Sequence, residues 1–105
     1  MCGLAGLLVS GPADPLQLAK HVEAMTGSLA HRGPDDQGVW TDPLSGISLG
    51  FRRLSIIDLS AAGHQPMPSG SGRYTMVYNG EVFNHRALRQ QLLQAGARFR
   101  GHSDT

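Results

Sequence analysis

Glycine and proline cut this chain into short pieces: 14 glycines and 6 prolines fall among 105 residues, about 19% of the total. An average soluble chain carries ~12%. Between these breaks the apolar runs are mostly strand-length, and only two stretches have helical spacing. A coiled coil and a collagen are excluded, and one cysteine excludes a disulfide scaffold. Hydrophobic residues make up 40%, enough for a core, whereas charged residues are 16%, below the ~25% of an average domain. One domain, or part of one, is the expected unit, burying somewhat over ~60% of its unfolded surface.

The first run, Cys2 to Val9, is closed by Ser10-Gly11-Pro12 and predicts a buried strand. Asp14-Pro15 has the form of an N-cap with proline at the first helical position. Leu18, Val22, Met25 and Leu29 then mark one face of a helix. His31 to Gly38 predicts a loop. Gly38 to Thr41 and Gly46 to Ile57 predict strands around the turn 42–45; in the second, Ile47, Leu49 and Phe51 alternate with small or polar neighbours, the pattern of a half-buried strand. Asp58 to Gly72 predicts a loop, and Tyr74 to Tyr78 a strand ended by the turn dipeptide Asn79-Gly80. Asn84 is placed to cap a helix reaching Ala95, with Leu88 and Leu92 inward and Gly96 just past its end. Arg98 to Arg100 predicts another strand. Tight turns replace regular βαβ crossovers, so the expected class is α+β with antiparallel sheet.

Nine basic and eight acidic residues leave a formal charge of +1, which makes no electrostatic case for nucleic acid or an anionic membrane. Gly3 to Val9 is too short to span a bilayer and has no basic flank of a signal peptide, so a cytoplasmic protein is expected. His21, His31, His64, His85 and His102 share no zinc-like spacing with the cysteine, and no phosphate-cradling glycine loop is present. No metal or cofactor is expected in this stretch.

Cys2 is the first candidate for chemistry. Once Met1 is removed, its thiol lies beside a free α-amine of pKa about 7.7–8.0, so one residue supplies nucleophile and base. Read alone, it is equally a small hydrophobe at a strand start. A retained Met1 would lock the amine in a peptide bond. Asn79-Gly80 offers a side-chain amide and a backbone N–H to a developing oxyanion, or is simply a hairpin turn. An arginine following the apolar strand, at Arg52-Arg53, either pairs with a carboxylate of the protein or awaits one on a ligand. Glu81 and Asp104 could hold an ammonium, cap a turn or remain solvated.

Six motifs then occur in order: Met1-Cys-Gly-Leu-Ala-Gly6, His31-Arg-Gly-Pro-Asp35, Arg53-Leu-Ser-Ile-Ile-Asp58, Ala62-Gly-His-Gln-Pro-Met67, Asn79-Gly-Glu-Val-Phe-Asn84 and Ser103-Asp-Thr105. Together they make the chain resemble the N-terminal glutaminase domain of glutamine-hydrolysing asparagine synthetases, a class II glutamine amidotransferase. The resemblance implies a four-layer αββα sandwich of the N-terminal-nucleophile hydrolase type, of which residues 1–105 are only the N-terminal part. It implies Cys2 as the nucleophile on glutamine, with Asn79 and Gly80 as the oxyanion hole. It further implies Arg53 on the glutamine α-carboxylate, backbone groups of Leu54, Ser55, Ile56 and Ile57 along the pocket, and Asp104 with Glu81 on the α-ammonium. His31 to Asp35 is expected to shape a loop near the active site or the domain interface, with no catalytic role. The implied partner is a C-terminal synthetase domain that uses ATP and Mg2+ to turn aspartate into asparagine with the released ammonia. A homodimer is left open. Another acceptor for the ammonia, or a truncated non-catalytic fragment, is the alternative reading.

Overall fold

The computed structural model describes all residues, Met1 to Thr105. Three strands, β1 (Gly3–Leu8), β2 (Asp36–Asp42) and β3 (Ile47–Arg53), form an antiparallel sheet in the order β1-β3-β2. Helix α1 (Pro15–Gly27) crosses one face of it. A two-stranded antiparallel ribbon, β4 (Met67–Pro68) with β5 (Thr75–Met76), follows a single 3-10 turn at Ala61–Gly63. Helix α2 (His85–Gln94) comes last. The class is α+β with antiparallel sheets, as the sequence implied. No helix is long and apolar enough to cross a membrane.

Helix α1 begins where its signals place it. The Asp14 side chain accepts from the Leu16 N–H at 3.0 Å, and Pro15 occupies the first turn without wasting a donor. Leu18 and Val22 are buried beneath the helix, but Thr26, not Met25, completes the row; Met25 is 40% exposed and Leu29 lies beyond the helix. The cause is the sheet surface below. A Cβ on Gly50 would lie 2.6 Å from Val22 Cγ1 and 2.7 Å from Thr26 Oγ1, so the helix rests on bare backbone there. The Thr26 hydroxyl meets its own need by bonding the Val22 carbonyl. Burial of Val22 contributes about 1.5–3 kcal/mol.

In β3, Ile47, Leu49 and Phe51 alternate with small or polar neighbours as expected, and it is the small neighbours that lie under the helix. Ser48 and Gly50 face α1, and the large residues point the other way, where Phe51 is buried and Ile47 and Leu49 are half-buried. The strand also stops at Arg53, short of Ile57. Gly3 of β1 pairs with Arg52 and Asp36 of β2 pairs with Arg53, so beyond that point there is no neighbour on either side. Leu54 to Ile57 leave the sheet.

The structure differs from four further expectations. Asn79-Gly80 is no hairpin turn, because Gly80 has no positive φ and no strand follows it. Arg98 to Arg100 form no strand; Arg89 lies 4.3 Å over the Phe99 ring and the Arg100 guanidinium donates to the Pro68 carbonyl at 2.7 Å. Leu88 and Leu92 of α2 are exposed, since no strand or helix packs extensively against that helix, and Asn84 makes no side-chain cap bond. Gly96, at φ +89°, does end α2 as expected.

Candidate active site

A cavity of about 400 Å³ opens on the side of the sheet away from α1. Five stretches meet at its wall: the N-terminus, the end of β3 with the turn beyond it, Gly63 with Gln65, the segment after β5, and the last three residues. Cys2, Arg53, Leu54, Ile56, Ile57, Asn79, Gly80, Glu81 and Asp104 all line it. Ser55 does not. Its N–H turns away to the Asp35 carboxylate at 2.7 Å, while the Asp35 N–H donates to the Arg53 carbonyl at 3.0 Å. The His31 to Asp35 loop thus braces the turn after β3 from behind.

That turn also holds the cysteine. The Leu54 N–H donates to Cys2 Sγ at 3.3 Å, and the thiol faces the Leu54 carbonyl at 3.6 Å. Cys2 is half-buried, and its sulfur is held by the backbone N–H and carbonyl of one residue, Leu54. Met1 lines the same cavity and is largely exposed.

The two adjacent arginines separate by strand alternation. Arg52 donates to the Gln37 side-chain carbonyl, and its buried Nε has no partner. Arg53 is only 8% exposed and lines the cavity. Its guanidinium donates to the Ser60 carbonyl at 2.7 Å and to the Asp58 carbonyl, and it lies on Gly63, where a Cβ would come within 2.2 Å of Nη2. No carboxylate pairs with it; the sole ion pair in the chain is His64 with Asp36, at 2.7 Å. A guanidinium has five N–H donors, so carbonyl bonds leave both charge and donors unspent.

The oxyanion-hole candidates are held from outside. Gln65, buried, accepts from the Tyr78 N–H at 2.6 Å and donates to the Tyr78 carbonyl at 3.3 Å. Its amide thereby does the work of a neighbouring strand for the residue just before Asn79 and Gly80. Asp104 accepts from the Val82 N–H at 2.8 Å, tying the last residues to the same segment beside Glu81. Asp58 accepts from the His102 N–H at 2.7 Å and the Ser60 N–H at 2.8 Å. The His102 N–H above all, then Ser60, holds the Asp58 carboxyl well below its ordinary value.

The sequence assigns no role to Asp58, Gly63 or Gln65, and to Asp35 only a place in a loop near the site. Each acts through backbone groups 13 to 44 residues away or through space left empty, and neither leaves a periodic trace. The only available signal was their position inside the repeatedly polar, glycine-bearing motifs.

A family model described as a glutamine amidotransferase domain matches residues 1–105. The chain belongs to that family. It is 38% identical over 109 residues to asparagine synthetase [glutamine-hydrolyzing] 1 of Bacillus subtilis, covering all of this chain and 16% of that protein. A putative asparagine synthetase [glutamine-hydrolyzing] of Mycobacterium tuberculosis is 40% identical over 116 residues, covering 99% of this chain and 18% of the relative. Amidase chry2 of Gibberella zeae is 35% identical over 112 residues, with 99% and 16% covered. The chain thus spans less than a fifth of the length of these relatives.

Proposed function

We propose that this amidotransferase domain hydrolyses glutamine to glutamate and ammonia through a thioester on Cys2, and feeds the ammonia to a synthetase domain that converts aspartate to asparagine. The observation that carries the reading is Arg53: a buried cation on the cavity wall with no carboxylate of the protein beside it. An unpaired buried charge is costly, and an arriving carboxylate removes the cost. Glu81 and Asp104 supply the opposite charge for the α-ammonium, so the wall suits a free amino acid.

The chemistry follows from the residues. Removal of Met1 frees the Cys2 amine, which takes the thiol proton as sulfur attacks the side-chain carboxamide carbon. The C–S bond forms, and the carbonyl electrons move to oxygen, where the Asn79 amide and the Gly80 N–H receive them. Collapse breaks the C–N bond, and the protonated amine returns its proton to the departing ammonia. Water then adds to the thioester and releases glutamate with the free thiol. No three histidine, cysteine or carboxylate side chains converge to hold a cation; ATP and Mg2+ are assigned to the synthetase domain, and the assembly to the cytoplasm.

Intact mass before and after an electrophilic glutamine analogue tests the nucleophile in the full-length protein. Loss of methionine and one adduct on Cys2 is expected; a retained methionine or an unlabelled cysteine overturns the proposal. Arg53→Ala should lower kcat/KM for glutamine by roughly 10²-fold, about 3 kcal/mol, with ammonia-dependent synthesis intact. Equal loss of both activities would make Arg53 purely structural. The likeness to an amidase favours a second reading of the acceptor alone, which product analysis of the complete protein decides.

A further inference from the structure

Arg53 and Asp104 face one cavity from distant points of the chain, and a ligand bound at both ends needs their separation fixed. The turn that receives Arg53 and the segment that carries Asp104 share no strand pairing. One side chain joins them. Asp58 Oδ1 accepts from Ser60 N–H at 2.8 Å, shaping the turn whose Asp58 and Ser60 carbonyls receive the Arg53 guanidinium. Asp58 Oδ2 accepts from His102 N–H at 2.7 Å, two residues before Asp104. Gly101 leaves just enough room: a Cβ there would stand 2.7 Å from Oδ2.

We infer that Asp58 is a positioning residue, whose carboxylate sets the distance between the cation and the anion that grip the two ends of the bound amino acid. Asp58 also lines the cavity, but both of its carboxylate oxygens are spent on backbone N–H groups, so it acts on the ligand through Arg53 and Asp104. The inference rests on the glutaminase reading. Its depressed proton affinity agrees with a carboxylate that stays ionised in this role. Contacts made equally to substrate and transition state alter KM and leave kcat in place. Loss of the tie should therefore appear in KM.

The test is glutamate release by the full-length protein and its Asp58→Asn and Gly101→Ala variants. The first replaces one acceptor oxygen by a donor facing an N–H; the second pushes the carboxylate away while keeping its charge. In both, KM for glutamine should rise on the order of tenfold or more, with kcat changed less than about twofold. Labelling of Cys2 by an electrophilic glutamine analogue should slow in parallel, while labelling by iodoacetamide keeps its rate. If Asp58→Asn does not fold, Gly101→Ala decides. Active wild type with an unmoved KM in the folded variants overturns this inference alone, as does a fall in kcat at constant KM. A wild type that releases no glutamate overturns the glutaminase reading and the inference with it.

Discussion

The two faces of the β1-β3-β2 sheet are held by different physics. Under α1 the contact is close, with Leu18 buried and Val22 and Thr26 set against the bare backbone of Gly50. On the cavity side, loops are fixed by side chains that grip backbone: Asp35 on Ser55, Gln65 on Tyr78, Asp58 on His102, Asp104 on Val82. Packing tolerates little change in volume but is indifferent to direction. Hydrogen bonds fix direction and leave a space that a ligand can fill. The helix side therefore carries stability and the cavity side carries geometry.

That contrast is breakable by substitution. Asn79→Ala should reduce kcat for glutamine by about 10²–10³-fold without moving the unfolding midpoint; a matching loss of stability would erase the distinction between the faces. Gly50→Ala should do the reverse, destabilising the domain by about 1–3 kcal/mol as its methyl meets Val22 and Thr26. Denaturant unfolding measures it, and KM for glutamine should hold. Gly63→Ala sharpens the cavity side, since its methyl displaces Arg53 and should raise KM by roughly tenfold. Unchanged KM there would show the guanidinium free to move. The smallest effect concerns acid. Asp58 has a lowered native proton affinity, so its contribution is complete above the ordinary value of 3.8 and is lost as pH falls below it. Stability of wild type should drop more steeply than that of Asp58→Asn between about pH 4 and pH 2, and parallel slopes would refute the assignment.

What could be read from the chain divides along the same line. Asp14-Pro15 and the Leu18–Val22 spacing are local, and α1 starts and packs where they indicate. The exit of Leu54 to Ile57 from the sheet depends on where two other strands run out of residues, which no window around position 54 contains. Asn79-Gly80 has a hairpin's composition, yet Gln65, 13 residues upstream of Tyr78, takes the bonds a partner strand would have made. The order of motifs indicated which residues belong at one cavity, and all but Ser55 line it. It said nothing of how Asp35, Asp58 and Gly63 keep them there, because those contacts are long in sequence and aperiodic.

The bond from Leu54 to the Cys2 sulfur spans 52 residues, and this has a consequence in time. During synthesis the N-terminus is a loose tail until β3 has emerged, because Gly3 finds its partner only in Arg52. A trimming enzyme would meet Met1 during that interval as an unpaired end. In the folded chain the same residue lines the cavity. Removal of Met1, on which the proposed chemistry turns, would thus have its easiest moment before there is any pocket to expose.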